Sequence, residues 1–217
     1  MAHTLDMSSF SWDAKNVGVR EFYSDKKYRL VAVTSRNDKE VERTKVFLER
    51  KIHGSVPVDV VITFARIEIE GKKYFVLTRQ WREATRKYSI ASPAGVYDEQ
   101  DENPITAGLR ELNEETPFTA TEDDVRATSC LSFSSDGCLS ETFQVLFVDV
   151  KPKDDNVTFE SGIVSGITNQ NSGENITTFY VPADKLYESL VQLQEWGHSI
   201  DGRLMMWAWG RQLAKMG

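Results

Sequence analysis

Residues 95–118, GVYDEQDENPITAGLRELNEETPF, decide how this chain is read. Asn103 is a good N-cap and Pro104 suits the first helical position, where its missing N–H costs nothing. Ile105, Leu109 and Leu112 recur at i, i+4 and i+7, which makes one apolar face. Pro117 cannot continue a helix, so the spacing predicts a helix ending near residue 115. Glu111 and Glu115 lie about 40° apart on that helix at about 100° per residue, with Gly108 in the same stripe and Glu114 one step round. Like charges so placed destabilise a bare helix. Arg110 is the only basic residue between Asp98 and Asp124 and cannot offset them alone. A divalent cation can, and an oxygen-only donor set suits Mg²⁺ or Mn²⁺ rather than zinc. A solvated acidic face on a surface helix is the other reading of the same residues.

Working outward, residues 58–70 and 73–80 read as a β-hairpin about the turn at Gly71-Lys72. Ser92-Pro93-Ala94-Gly95 then breaks the chain before the helix. Residues 28–35 and 44–52 predict two more strands, a small N-terminal sheet too short to stand alone. Downstream, residues 126–133 and 142–150 predict strands. Residues 151–174 read as a polar loop, long enough to suggest function. A short strand follows at 176–181, then amphipathic helices at 183–196 and 201–215. Hairpins with few βαβ units argue for an α+β fold. The expected domains are an N-terminal β region over residues 1–55 and a main domain over 56–217.

The bulk properties bound the function. The 217 residues carry 40% hydrophobic and 27% charged side chains, as an ordinary globular protein does, and a net charge of −7. That charge argues against nucleic acid or an anionic membrane as the main partner. Residues 98–124 hold ten acids and one base, so the other 190 residues hold 25 bases and 23 acids. The acidity is thus concentrated at the helix and says nothing against a small phosphorylated substrate. No run of 18 or more apolar residues predicts a membrane span, and no basic-then-apolar start predicts a secretory signal. Cys130 and Cys138 lack partners at zinc spacing; they read as semi-buried apolar thiols in a reducing, cytoplasmic or nuclear, compartment. His3, His53 and His198 are scattered and none reads as a ligand or base.

The acidic helix and its approach resemble the Nudix box, whose pattern is Gly, five residues, Glu, seven residues, Arg-Glu-aliphatic-any-Glu-Glu, any, Gly, aliphatic. Arg110-Glu111-Leu112-Asn113-Glu114-Glu115 matches the centre in full, and Glu102 stands seven intervening residues before Arg110. Gly95 is six intervening residues before Glu102, which predicts one inserted residue within 97–101. Pro117 replaces the final Gly and Phe118 takes the aliphatic place. Gln80-Trp81-Arg82 followed by Pro93-Ala94-Gly95 is similar to the ADP-ribose and nucleoside diphosphate sugar pyrophosphatase branch. The tail Asp201-Gly202-Arg203 is similar to the opening of that branch's last helix. The sequence departs from the branch at Glu83-Ala84, at Ala91, and near Lys45, where an adenine-stacking tryptophan is usual and only Phe47 or Trp12 is available.

The resemblance implies a Nudix α/β/α sandwich with a mixed sheet, its N-terminal β region exchanged in a homodimer. It implies Mg²⁺- or Mn²⁺-dependent hydrolysis of a nucleoside diphosphate sugar. Glu111, Glu114, Glu115 and the carbonyl of Ala94 would be metal ligands, with Glu111 and Glu115 also counted as catalytic. Arg110 would pair with Glu102 to hold the loop carrying Gly95. A glutamate of the polar loop would act as base: Glu174 first, Glu160 second. Arg82 would bind phosphate or ribose, with Arg50 and Arg79 as further candidates. Trp81 reads as core, and Trp196, Trp207 and Trp209 as core or dimer packing. A hydrolase of a UDP-sugar or oxidised nucleotide, or a non-catalytic nucleotide-binding module, are the alternatives.

Overall fold

The computed structural model describes residues 15–51, 57–98, 100–170 and 175–216. Its elements are β1 (Lys15–Ser24), β2 (Tyr28–Arg36), β3 (Glu42–Arg50), β4 (Val60–Ile69), β5 (Lys72–Arg82), β6 (Lys87–Ala91), β7 (Ala94–Val96) and α1 (Pro104–Glu115). Then come β8 (Phe118–Thr119), β9 (Val125–Thr128), β10 (Ser132–Ser135), β11 (Leu139–Asp149), β12 (Lys151–Pro152), β13 (Thr158–Glu160), β14 (Ile163–Ser165) and β15 (Thr177–Pro182). The chain ends with α2 (Leu186–Glu195), β16 (Ser199–Ile200) and α3 (Gly202–Ala214).

The chain forms two compact units. The first is Met1–Ile52 with Phe133–Glu141. In it β1, β2 and β3 form an antiparallel meander, and Leu139 at the start of β11 pairs parallel with Leu48. Val31 and Ala32 of the central strand are buried, while β1 is exposed along its whole length. Sequence patterning gives no strand at residues 15–24, because apolar and polar residues do not alternate along its whole length. The excursion at residues 133–141 is equally illegible, since its attachment is made by pairing between residues distant in sequence.

The second unit is His53–Ser132 with Thr142–Gly217. Its β4 is the middle of a mixed sheet, parallel to the later part of β11 and antiparallel to β5 and β7. β15 pairs with the other edge of β5, and the β13–β14 hairpin extends from β15. Alternation along the strands sorts the core into two layers. Val61, Ala65, Ile67 and Val76 face α1 with Leu112, Phe118, Leu146 and Val148. Ile62, Phe64, Phe75 and Leu77 face α2 and α3 with Leu190, Leu204 and Ala208. Helices therefore cover both sheet faces, and this unit is the expected α/β/α sandwich in an α+β chain.

Trp207 fills the second layer, with ring centroids 4.4 Å from Phe64 and 4.8 Å from Phe75. Trp196, Trp209 and Trp81 do not follow it: they are 67%, 43% and 46% exposed. Trp81 packs edge-on against Tyr88 across the β5–β6 ladder, near the hairpin end. Cys130 and Cys138 are both free and exposed, contrary to their apolar character, because each sits in a surface connection rather than on a core strand. Part of the 151–174 stretch is strand rather than loop. β13 and β14 pair within it, and Lys153 donates from its ammonium to the carbonyls of Asn113 and Ile167.

Candidate active site

α1 begins where the sequence places it. The Asn103 side chain accepts from the N–H groups of Ile105 and Thr106, and the Thr106 hydroxyl accepts from the Asn103 N–H, a reciprocal cap. Ala107, Gly108 and Leu112 are buried on the sheet side. A Cβ on Gly108 would lie 2.5 Å from Leu146 Cδ1 and 2.8 Å from Val61 Cγ1, so only glycine lets the helix approach this closely. The Thr63 hydroxyl donates to the Gly108 carbonyl at 3.2 Å in the same contact.

This close seating brings the carboxylate edge of α1 against β7. β7 is held on β4 by the pairs Val61↔Gly95 and Ile62↔Ala94. Glu115, 8% exposed, accepts at Oε2 from the Ala94 N–H at 3.1 Å. Glu111 lies directly over Gly95: a Cβ there would be 1.8 Å from the Glu111 Cδ. Gly95 is thus a cradle for this carboxylate. Its backbone is not in the left-handed region, so close approach, not turn geometry, demands glycine.

Arg110 is the hub. Its Nε and Nη2 donate to the two oxygens of Asp101, both at 2.9 Å. Nη2 also donates to the Val96 carbonyl at 3.0 Å, and Nη1 reaches Glu111 at 2.9 Å and Glu114 at 3.4 Å. The Asp101 partnership raises the Arg110 pKa, against the opposing effect of burial. Burial pushes the Asp101 carboxyl up, but the Arg110 guanidinium and the Asp98 N–H outweigh it and hold it below the usual carboxylate range. Sequence spacing assigns the ion pair to Glu102, and the structure corrects this. Glu102 is exposed, and Asp101, five intervening residues after Gly95, takes the place. The inserted residue therefore falls between Asp101 and Arg110, not within 97–101. A shorter carboxylate one residue earlier still meets the guanidinium because the Asp98 N–H turns the chain inward.

The C-terminal end of α1 is secured by the chain that follows. The Asn169 N–H donates to the Glu114 carbonyl at 3.0 Å. Thr178 Oγ1 and Gln170 Nε2 both donate to the Glu115 carbonyl at 3.4 Å. Gln170 also exchanges two 3.0 Å bonds with the backbone of Ile176. Sequence reasoning missed Asp101, Gln170 and Thr178; the Gly95 spacing alone could have suggested the first. Glu174 lies outside the described residues, as do Trp12, His3 and His53. Glu160 is exposed at the end of β13.

The candidate arginines are dispersed. On β5, Val76 faces α1, and alternation puts Thr78, Gln80 and Arg82 on that same face. Arg82 is exposed at the strand end. Arg79 falls on the opposite face. Its guanidinium carbon lies 3.5 Å from the Tyr88 ring centroid, and its Nε donates to His198 Nε2 at 3.1 Å. Arg50 belongs to the first unit, where Nη1 donates to Tyr28 Oη at 2.6 Å and pairs with Glu141 at 2.7 Å.

Glu111, Glu114 and Glu115 supply only oxygen donors, which fits a hard divalent ion. As they stand, Arg110 and the Ala94 N–H partner them. Among the described residues no three His, Cys, Asp or Glu side chains are gathered as a metal cluster. The chemistry of the donor set, three carboxylates on one edge of α1 with Glu111 seated over Gly95, nonetheless fits such an ion.

No family model matches the chain. It is 28% identical over 165 residues to an uncharacterized Nudix hydrolase of Schizosaccharomyces pombe, covering 75% of this chain and 74% of that one. It is 29% identical over 156 residues to a nudix hydrolase of Caenorhabditis elegans, covering 72% of this chain and 66% of that one. Its fold matches the crystal structure of an ADP compounds hydrolase at a TM-score of 0.63 and 13% identity, over 97% of this chain and 99% of that one. In sequence over most of its length, and in fold, this chain resembles the Nudix hydrolases.

Proposed function

We propose that the protein is a divalent-metal-dependent hydrolase of the pyrophosphate bond in ADP-ribose or a related nucleoside diphosphate sugar, giving a nucleoside monophosphate and a sugar phosphate. The observation that carries this reading is the Glu111 carboxylate seated over Gly95, with Glu114 and Glu115 on the same edge of α1. The Nudix hydrolase relatives and the fold of an ADP compounds hydrolase support it. Glu111, Glu114, Glu115 and the Ala94 carbonyl would hold Mg²⁺ or Mn²⁺. Such an ion supplies charge neutralisation of a pyrophosphate and a more acidic water. Arg110 orients the carboxylates and, through Asp101, fixes the loop behind Gly95. Arg82, on the α1 face of the sheet, would take a substrate phosphate, and Glu174 would accept the proton of the attacking water, with Glu160 second. Exposed Val17, Val19, Phe22 and Tyr23 on β1 support packing of the N-terminal region on a second copy in a homodimer.

A panel of nucleoside diphosphate sugars with Mg²⁺ tests this reading. ADP-ribose should yield AMP and ribose 5-phosphate, and Glu115→Gln should lose turnover by orders of magnitude while melting near the parent temperature. No turnover across the panel refutes hydrolysis, and tight binding without turnover would indicate a sensor module.

A further inference from the structure

In the same unit as the carboxylate site, at its opposite end, lies a concavity of about 650 Å³. Along β4, Ile69 pairs with Lys72 beside this concavity, whereas Val61 pairs with Gly95 at the carboxylate site. Eight residues of β4 separate the two, or roughly 27 Å of strand. The lining brings Lys72, Lys73, Lys185, Arg211 and Lys215 together with one acid, Asp184. They come from three places: the β4–β5 turn, the start of α2 and the last turns of α3. Backbone contacts fix their approach. The Ala183 N–H donates to the Lys73 carbonyl at 2.9 Å, and Lys215 Nζ donates to the Asp184 carbonyl. Arg211 is held against the Trp207 ring, 5.1 Å from its centroid, with Nη2 3.5 Å from the Ala183 carbonyl.

What sets these cations apart is their convergence on one hollow, since among the described residues no lysine forms an ion pair. Arg29, Arg36, Arg50, Arg66, Arg110, Arg126 and Arg203 each hold a carboxylate. Among the described residues no ion pair involves any of the five cations of the concavity. Asp184 in the lining and Glu68 across the ladder from Lys73 offset only part of the five positive charges around the hollow, and an anion seated among them relieves the remaining repulsion. The volume suits a small ligand rather than a polymer, and a net charge of −7 opposes wide contact with a polyanionic surface. We propose that this hollow binds the phosphate chain of a small, multiply charged anion, separately from the carboxylate site.

Titration calorimetry of the full chain with inorganic tripolyphosphate, in EDTA, tests the proposal. One molecule should bind per chain, and Lys73→Glu/Lys185→Glu should weaken binding roughly tenfold or more. Glu115→Gln should leave it unchanged. ATP binding with the same sensitivity to the lysines identifies a nucleotide as one source of the phosphate chain; tripolyphosphate binding alone identifies a base-free one. Absence of binding at millimolar tripolyphosphate overturns the proposal. So does equal binding of sulfate, indifference to the lysine substitutions, or a stronger response to RNA or anionic vesicles than to tripolyphosphate.

Discussion

Replacing Gly95 by alanine separates the proposed carboxylate site from the fold that carries it. The new Cβ would sit 1.8 Å from Glu111 Cδ and 2.1 and 2.2 Å from its two oxygens. Ordinary carbon contacts are about 3.5–4.0 Å, so the carboxyl group must retreat by roughly 2 Å. It can do so, because it is the far end of a flexible side chain that is partly exposed. The backbone at residue 95 suits alanine, which restricts the unfolded chain and favours folding by about 0.4–1 kcal/mol. Loss of the Arg110–Glu111 bond opposes this by about 1 kcal/mol. The two nearly cancel, so the melting temperature should move by no more than about 4 °C. Misplacing a reacting group by 1 Å can cost about 10²-fold, so Mg²⁺-dependent kcat/KM should fall about that far or further. Gly108→Ala is the contrast. Its Cβ would meet Leu146 and Val61, both wholly buried, and such overpacking costs about 1–3 kcal/mol. Thermal melts and steady-state rates across Mg²⁺ concentrations measure both variants. If Gly95→Ala keeps parental activity at every Mg²⁺ concentration, the placement of Glu111 over Gly95 has no part in function and the reasoning fails.

Asp101→Asn should destabilise by about 2–3 kcal/mol, because Asp101 is almost wholly buried against Arg110, while Glu102→Gln should stay within about 0.5 kcal/mol. Equal losses in urea unfolding would restore Glu102 as the partner. Burial raises the carboxyls of Asp101, Asp149 and Asp201, but their arginines outweigh it and all three end below their ordinary value. Their contribution is therefore present above the unfolded value near pH 4 and is lost as pH falls through the lower folded values. The urea midpoint should hold between about pH 7 and 5 and drop below about pH 4; a rise on acidification contradicts the pairing. Glu174→Gln should lower kcat by about 10²–10⁴-fold with KM little changed, whereas Glu160→Gln should not; the reverse pattern moves the base to Glu160.

Much of the site's frame is legible in the sequence because it is local. Asn103, Pro104 and the spacing of Ile105, Leu109 and Leu112 specify a capped helix without outside help, and the same spacing aligns Glu111 and Glu115. The β4–β5 hairpin is readable for the same reason. The exposure of Trp81 is not, because it depends on whether another element covers the hairpin end. The strand at residues 15–24 escapes a reading by pattern because it lacks sustained alternation and is defined by its pairing with β2.

By itself the sequence determined that α1 exists, where it starts, and that it carries three carboxylates and one arginine on a helix able to dock on a sheet. Those properties follow from dihedral preferences, capping and the 3.6-residue period, which act within a few residues. Only the tertiary structure decided that Arg110 takes Asp101 and not Glu102 and that Glu111 lies over Gly95. Counting from Gly95 points to Asp101 and counting from Arg110 points to Glu102, so spacing leaves the two carboxylates tied, and the choice depends on which of them the turn at Asp98 directs toward the guanidinium. The five cations at the far end of the unit show the same limit: Lys73, Lys185 and Lys215 are far apart in sequence, and only packing brings their charges to one hollow.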